Sequence, residues 1–137
     1  NWTESSIPSA LRLAEYLAKT NKQVYFVDAP NFFHMSASSF YFANGNLPMN
    51  ELNHFMYERL SLKYLSIRNY VNDYFDHQKN LKIKLIRKGE FFCDFNDATC
   101  SLYSKTGQPF FVDELHLSLE GLKYFGDRLE KDGYFIR

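Results

Sequence analysis

This sequence predicts an α/β domain whose parallel strands are covered by helices, and three observations lead there. Two short apolar runs rich in β-formers, Gln23 to Asp28 and Leu81 to Ile86, lie far apart in the chain. Between and around them apolar residues recur at helical spacing. The resulting order of helix, strand, helix, strand, helix gives each strand pair a helical crossover, which is what parallel pairing needs. A chain of 137 residues with 45% hydrophobic content supports one packed core and not two comfortable ones, so residues 1–137 are read as a single domain.

The first helix is expected from Ser6 to Thr20: Ser5 or Ser6 has cap chemistry, Pro8 suits a first turn, and Leu11, Ala14, Leu17 and Ala18 form a stripe. The strand Gln23 to Asp28 follows and ends at Ala29-Pro30. From Asn31 to Asn50, aromatic residues mix with Ser, Asn and Gly without a period, which predicts a long loop placed to wall a pocket or to pack as an aromatic layer. From Met49 to His77 helical spacing returns through Leu52, Phe55, Met56, Leu60, Tyr64, Ile67, Val71 and Phe75, as one long helix or two broken ones. Leu81 to Ile86 has strand alternation, a polar cysteine loop follows, and a turn at Gly107-Gln108-Pro109 leads into an extended Phe110-Phe111-Val112. Ser118 is placed to cap a last helix, Leu119 to Lys131, with Leu122, Phe125 and Leu129 in its stripe.

Sixteen basic residues balance sixteen acidic ones, which argues against a nucleic-acid partner or attraction to an anionic membrane surface. No apolar run reaches the roughly 18 to 20 residues of a membrane helix, so this segment itself is expected to make no membrane contact. The first residues, Asn1-Trp2-Thr3, lack a methionine and lead to the expectation of a longer or processed parent. Cys93 and Cys100 flank a polar stretch whose length suits a small disulfide. Two reduced, packed cysteines and a zinc pair are the alternatives; polar neighbours weigh against the first, and the lack of a second Cys or His pair against the other.

The residues best suited to chemistry are Asp113 and His116. Three positions apart on a turn before a helix, they place a carboxylate within reach of an imidazole. Such a carboxylate fixes the tautomer, and the second ring nitrogen is then a base for a serine hydroxyl. Alone, the Asp-x-x-His spacing is a weak signal, and a solvated loop histidine is its ordinary explanation. The surrounding pattern is more specific: Phe110-Phe111-Val112, Asp113, His116-Leu117-Ser118, then Gly121 and a helix carrying Phe125.

That block resembles the carboxyl-terminal segment of SGNH, or GDSL-like, hydrolases. With the cysteine pair and glycine turn before it, the chain is similar to the periplasmic SGNH domain fused to membrane acyltransferases that modify bacterial surface glycans. The resemblance is sharp from about Cys93 to Phe125 and looser elsewhere. It implies a three-layer, flavodoxin-like sheet, and a serine-dependent esterase or O-acyltransferase that moves an acyl group, usually acetyl, between a donor and a glycan acceptor without a cofactor. It also implies a Cys93–Cys100 disulfide in an oxidising compartment, periplasmic or otherwise extracytoplasmic, and a tether through an upstream membrane domain.

One departure is large. The family's nucleophile lies in a Gly-Asp-Ser block, and here the only Gly-Asp, Gly126-Asp127, runs into Arg128. An amino-terminally truncated domain, its first strand or strands and serine lying upstream, is the expectation that accounts for it. Ser5 and Ser6 are poor substitutes, because nothing beside them supplies an oxyanion hole. A non-catalytic glycan-binding or interaction domain that keeps the fold is the competing reading. His34, His54 and His77 lack metal-ligand spacing and read as ordinary polar residues, with His34 the one placed to line a pocket. Asp28, ending its strand, reads as a loop cap or a pocket residue.

Overall fold

The computed structural model describes residues 6–28, 33–78 and 82–134. The expectations for Asn1, Ser5, Ala29-Pro30, Asn31-Phe32 and Leu81 concern residues outside these. The chain divides into two compact units, the first of Asn1–Ala29 and Leu62–Arg87, the second of Pro30–Ser61 and Lys88–Arg137.

The first unit is a strand pair with helices. Helix α1 (Ile7–Ala18) carries Pro8 in its first turn and buries Ile7, Leu11, Ala14 and Ala18, one stripe at three and four spacing. Leu17, expected in that stripe, is 40% exposed. Strands β1 (Val24–Val27) and β2 (Ile83–Ile86) pair in parallel with Val24 opposite Ile83 and Val27 opposite Ile86, so the parallel arrangement expected from element order is what forms. Backbone bonds continue the ladder at both ends, from Val24 N–H to Lys82 O and from Asp28 N–H to Ile86 O. Helix α1 contacts both strands. A second helix, Leu62–His77, buries Tyr64, Ile67 and Val71 and sets Phe75 against Phe26 of β1 at 5.7 Å between ring centres. Its Tyr74 hydroxyl donates to Glu15 of α1, and burial together with that carboxylate pushes the phenol up to about 12.

The second unit corrects two expectations. The stretch Asn31 to Asn50 is not one loop: α2 (Ala37–Asn44) forms within it, begun by Ser36, whose Oγ accepts from Ser39 N–H. The period is invisible because apolar residues occupy both faces. Ala37 and Phe40 are buried, while Tyr41 and Phe42 point outward. Helix α3 (Met49–Tyr57) then stops, so the long periodic stretch is two helices, and α4 is the Leu62–His77 helix of the first unit. The break has a cause in pairing. Leu60 bridges to Phe33, and Arg59 O accepts from His34 N–H, so these residues serve a β-bridge in place of a helix.

A short helix α5 (Lys88–Phe92), not anticipated, leads into the cysteine segment. That segment is a hairpin of β3 (Cys93–Asp94) and β4 (Thr99–Cys100), where a plain loop was expected. Cys93 and Cys100 are cross-strand partners joined by a disulfide, and Asp94 Oδ1 accepts from Asn96 and Asp97 N–H to hold the turn. Helix α6 (Leu119–Lys131) has the boundaries read from the sequence. Phe92 is the centre of this unit's core, with Phe111, Tyr124 and Phe110 rings within 6 Å of its own. Such ring pairs add about 0.5–1.5 kcal/mol each beyond the area they bury.

Candidate active site

The loop between β4 and α6 turns twice. Tyr103 bridges to Pro109 around Ser104–Gln108, where Gly107 takes φ 79°, a left-handed conformation that glycine adopts without a Cβ clash. Phe111 then bridges to Leu117, and Val112 N–H donates to His116 O at 2.9 Å. Asp113, Glu114 and Leu115 are thereby squeezed into the tip of a narrow hairpin.

Asp113 holds that tip with both oxygens. Its Oδ1 accepts from His116 N–H at 2.7 Å and from Leu115 N–H at 2.9 Å, and its Oδ2 lies 2.7 Å from His116 Nδ1. The His116 amide, then the Leu115 amide, then the imidazole hold the carboxyl down at about 2, well below its usual range. A charged carboxylate only accepts, so Nδ1 carries the proton in this pair and Nε2 presents its lone pair. Among the described residues no hydroxyl is bonded to that nitrogen. The His116 side chain is 67% exposed and that of Asp113 40%.

The loop is anchored at both sides. Phe33 N–H donates to Glu114 O at 3.0 Å, and the Phe33 ring meets Phe111 edge-on at 5.4 Å. Downstream, Ser118 Oγ donates to Pro109 O and accepts from Gly121 N–H, which makes it both helix cap and loop latch. Gly121 is there for want of a side chain: a Cβ would stand 2.0 Å from Phe110 O. The Phe33 anchor has no sequence signal, since a backbone bond across 81 positions leaves no mark on residue type.

His34 and His54 are exposed in the second unit. His77 lies at the end of α4 beside Asp73 in the first unit, where the Asp73 carbonyl and carboxylate raise its basicity. Asp28 is buried at the end of β1, 4% exposed. Ser6 begins α1 without a side-chain cap bond. Among the described residues no group of three or more His, Cys, Asp or Glu is placed to hold a metal, and no helix is long and apolar enough to cross a membrane.

Fold and site together define an α/β protein that displays a carboxylate-oriented histidine on the loop before its last helix. Residues 2–131 match the family model of the SGNH domain fused to AT3 domains, and the chain belongs to that family. Comparison with curated proteins and with solved structures gave no match.

Proposed function

We propose that the chain is the carboxyl-terminal part of a serine-dependent O-acyltransferase or esterase domain that moves an acyl group, acetyl in the simplest case, onto or off a cell-surface glycan. The observation that carries this reading is the Asp113–His116 pair, bonded through Nδ1 with Nε2 left to act as a base. Family membership supports it, since these domains accompany AT3 domains. The acyl donor then arrives through such a partner domain in the parent protein, which tethers this one on the periplasmic or extracytoplasmic side. The disulfide agrees with an oxidising compartment. The small parallel pair β1–β2 becomes part of a three-layer, flavodoxin-like sheet completed by strands outside these residues.

In this reading the serine is supplied from outside the 137 residues, since no Gly-Asp-Ser occurs among them. His116 Nε2 takes the hydroxyl proton as the serine oxygen attacks the acyl carbonyl. Collapse of the tetrahedral intermediate breaks the bond to the leaving oxygen, which receives that proton. The acceptor hydroxyl repeats the sequence in reverse order of roles and leaves with the acyl group. Asp113 stays ionised and stabilises the imidazolium at each stage.

The test is acyl transfer by the parent protein. His116→Ala is expected to lower the rate by about a thousandfold or more, and Asp113→Asn by one to two orders of magnitude less, as for residues that act as a unit. A fully active His116→Ala parent sinks the proposal.

A further inference from the structure

Helix α2 is only half explained by the core. Phe40 is buried, yet the next two residues, Tyr41 and Phe42, are 46% and 88% exposed. Both line a hollow of about 250 Å³ whose other walls include Tyr103 and Pro109. Tyr103 also walls a second hollow, of about 590 Å³, beside Phe110 and Tyr124. Tyr103 belongs to both linings, and the larger hollow alone lies within the range of about 300–1,000 Å³ usual for small-ligand sites.

The shared ring is fixed. Tyr103 donates its hydroxyl to Ala37 O at 2.9 Å and its ring meets Tyr41 at 5.7 Å. Phe110 and Tyr124 stack at 4.6 Å, 19° from parallel. The turn carrying Lys105 and Thr106 is laced by Ser104, whose Oγ accepts from Thr106 and Gln108 N–H. Phe110 is buried and backs Tyr124, so in the larger hollow the rings open to a ligand are those of Tyr103 and Tyr124, and rings held this firmly lose little freedom on binding.

The larger hollow is ringed by hydroxyls and by charges that cancel, Lys105 and Lys123 against Glu120 and Asp127. Balanced charge selects neither an anion nor a cation. It offers donors and acceptors to an uncharged molecule with many hydroxyls, while the rings offer flat apolar surface. A pyranose has both characters, an apolar C–H face and a polar rim.

We propose that the two hollows joined at Tyr103 form a binding groove for a neutral oligosaccharide, with Tyr41 and Phe42 as the stacking platform and Lys123 and Asp127 among the hydroxyl-binding groups. The groove and the Asp113–His116 pair share one loop: Pro109 and Phe110 line the groove, and the pair lies a few residues further along. The assignment gives the glycan of the proposed function a site. Its test reads binding alone, so an inert Asp113–His116 pair leaves it standing.

The experiment is an amide NMR titration of the protein with cellohexaose and, separately, chitohexaose at millimolar concentration. Saturable shifts are expected with at least one, confined to the amides of α2, the 101–108 segment and the Glu120–Asp127 face of α6. Phe42→Ala, at a site too exposed to disturb the core, should weaken binding about tenfold while the thermal midpoint is kept, and Tyr41→Ala should do the same. Absence of saturable shifts with both sugars, shifts mapping elsewhere, or unchanged affinity in both variants overturns the proposal. So does tighter binding of a proline-rich peptide at the same amides, which would assign the groove to a protein ligand.

Discussion

At the scale of single residues, Asp113 performs two tasks with two oxygens: one closes the turn and the other orients the imidazole. The larger share of its depressed pKa comes from backbone amides, with the histidine ring contributing less. Because the folded value of about 2 lies below the ordinary 3.8, the stabilisation from this carboxylate is present above that ordinary value and is lost as pH falls through about 2. Carboxyl carbon NMR should accordingly show Asp113 still charged at pH values where other aspartates have taken up a proton. His116→Ala should leave most of the depression in place, since the amides of residues 115 and 116 remain. A midpoint near 3.8 in the parent chain would mean that the turn bonds are not made in solution.

At the scale of elements, the most demanding position is Gly121, where α6 approaches the backbone of Phe110 too closely for any side chain. Gly121→Ala should destabilise the fold by about 2 kcal/mol or more, because the clash outweighs the roughly 1 kcal/mol that alanine gains in a helix. Gly126→Ala, in the same helix with nothing within 4 Å of a new Cβ, should stabilise by up to about 1 kcal/mol. Urea midpoints of the two variants moving in opposite directions would show this. Reducing Cys93–Cys100 should lower stability by about 2 to 3 kcal/mol on the chain-entropy account, and non-reducing mass spectrometry of extracytoplasmic material should find no free thiol. These elements also show why some of the fold was legible. Helices α1 and α6 were placed by helical spacing, with a cap bond made only at Ser118, although Leu17 and Leu122 of the expected stripes are exposed. The strands were legible as short β-rich runs, and their direction followed from the helical residues between them. Helix α2 was illegible because Tyr41 and Phe42 face away from the core and erase its period. The break between α3 and α4 has no mark in the sequence because a β-bridge to Phe33, a tertiary event, decides it. Of the candidate site, the Asp113–His116 contact was legible from spacing, while the Phe33–Glu114 backbone bond that steadies it depends on no side chain.

At the scale of the whole molecule, the proposed function needs a hydroxyl on His116 Nε2, and among the described residues none is bonded to that nitrogen. Ser118 is the serine nearest His116 in sequence, and its hydroxyl is spent on Pro109 O and Gly121 N–H as a cap and latch. Ser6 lies at the start of α1 and belongs to the first unit, while His116 belongs to the second. A base without a positioned hydroxyl has only slow general-base attack by water open to it. The 137-residue chain should therefore hydrolyse p-nitrophenyl acetate no faster than an equal concentration of free imidazole, and a fluorophosphonate serine probe should leave it unlabelled. The parent protein should be labelled at one serine outside these residues, and His116→Ala should slow that labelling by the same factor as it slows acyl transfer, since both need the same proton removed. Labelling of Ser118 or Ser6 in the chain itself, abolished by His116→Ala, would place the nucleophile within these residues and overturn the division of the catalytic machinery proposed here.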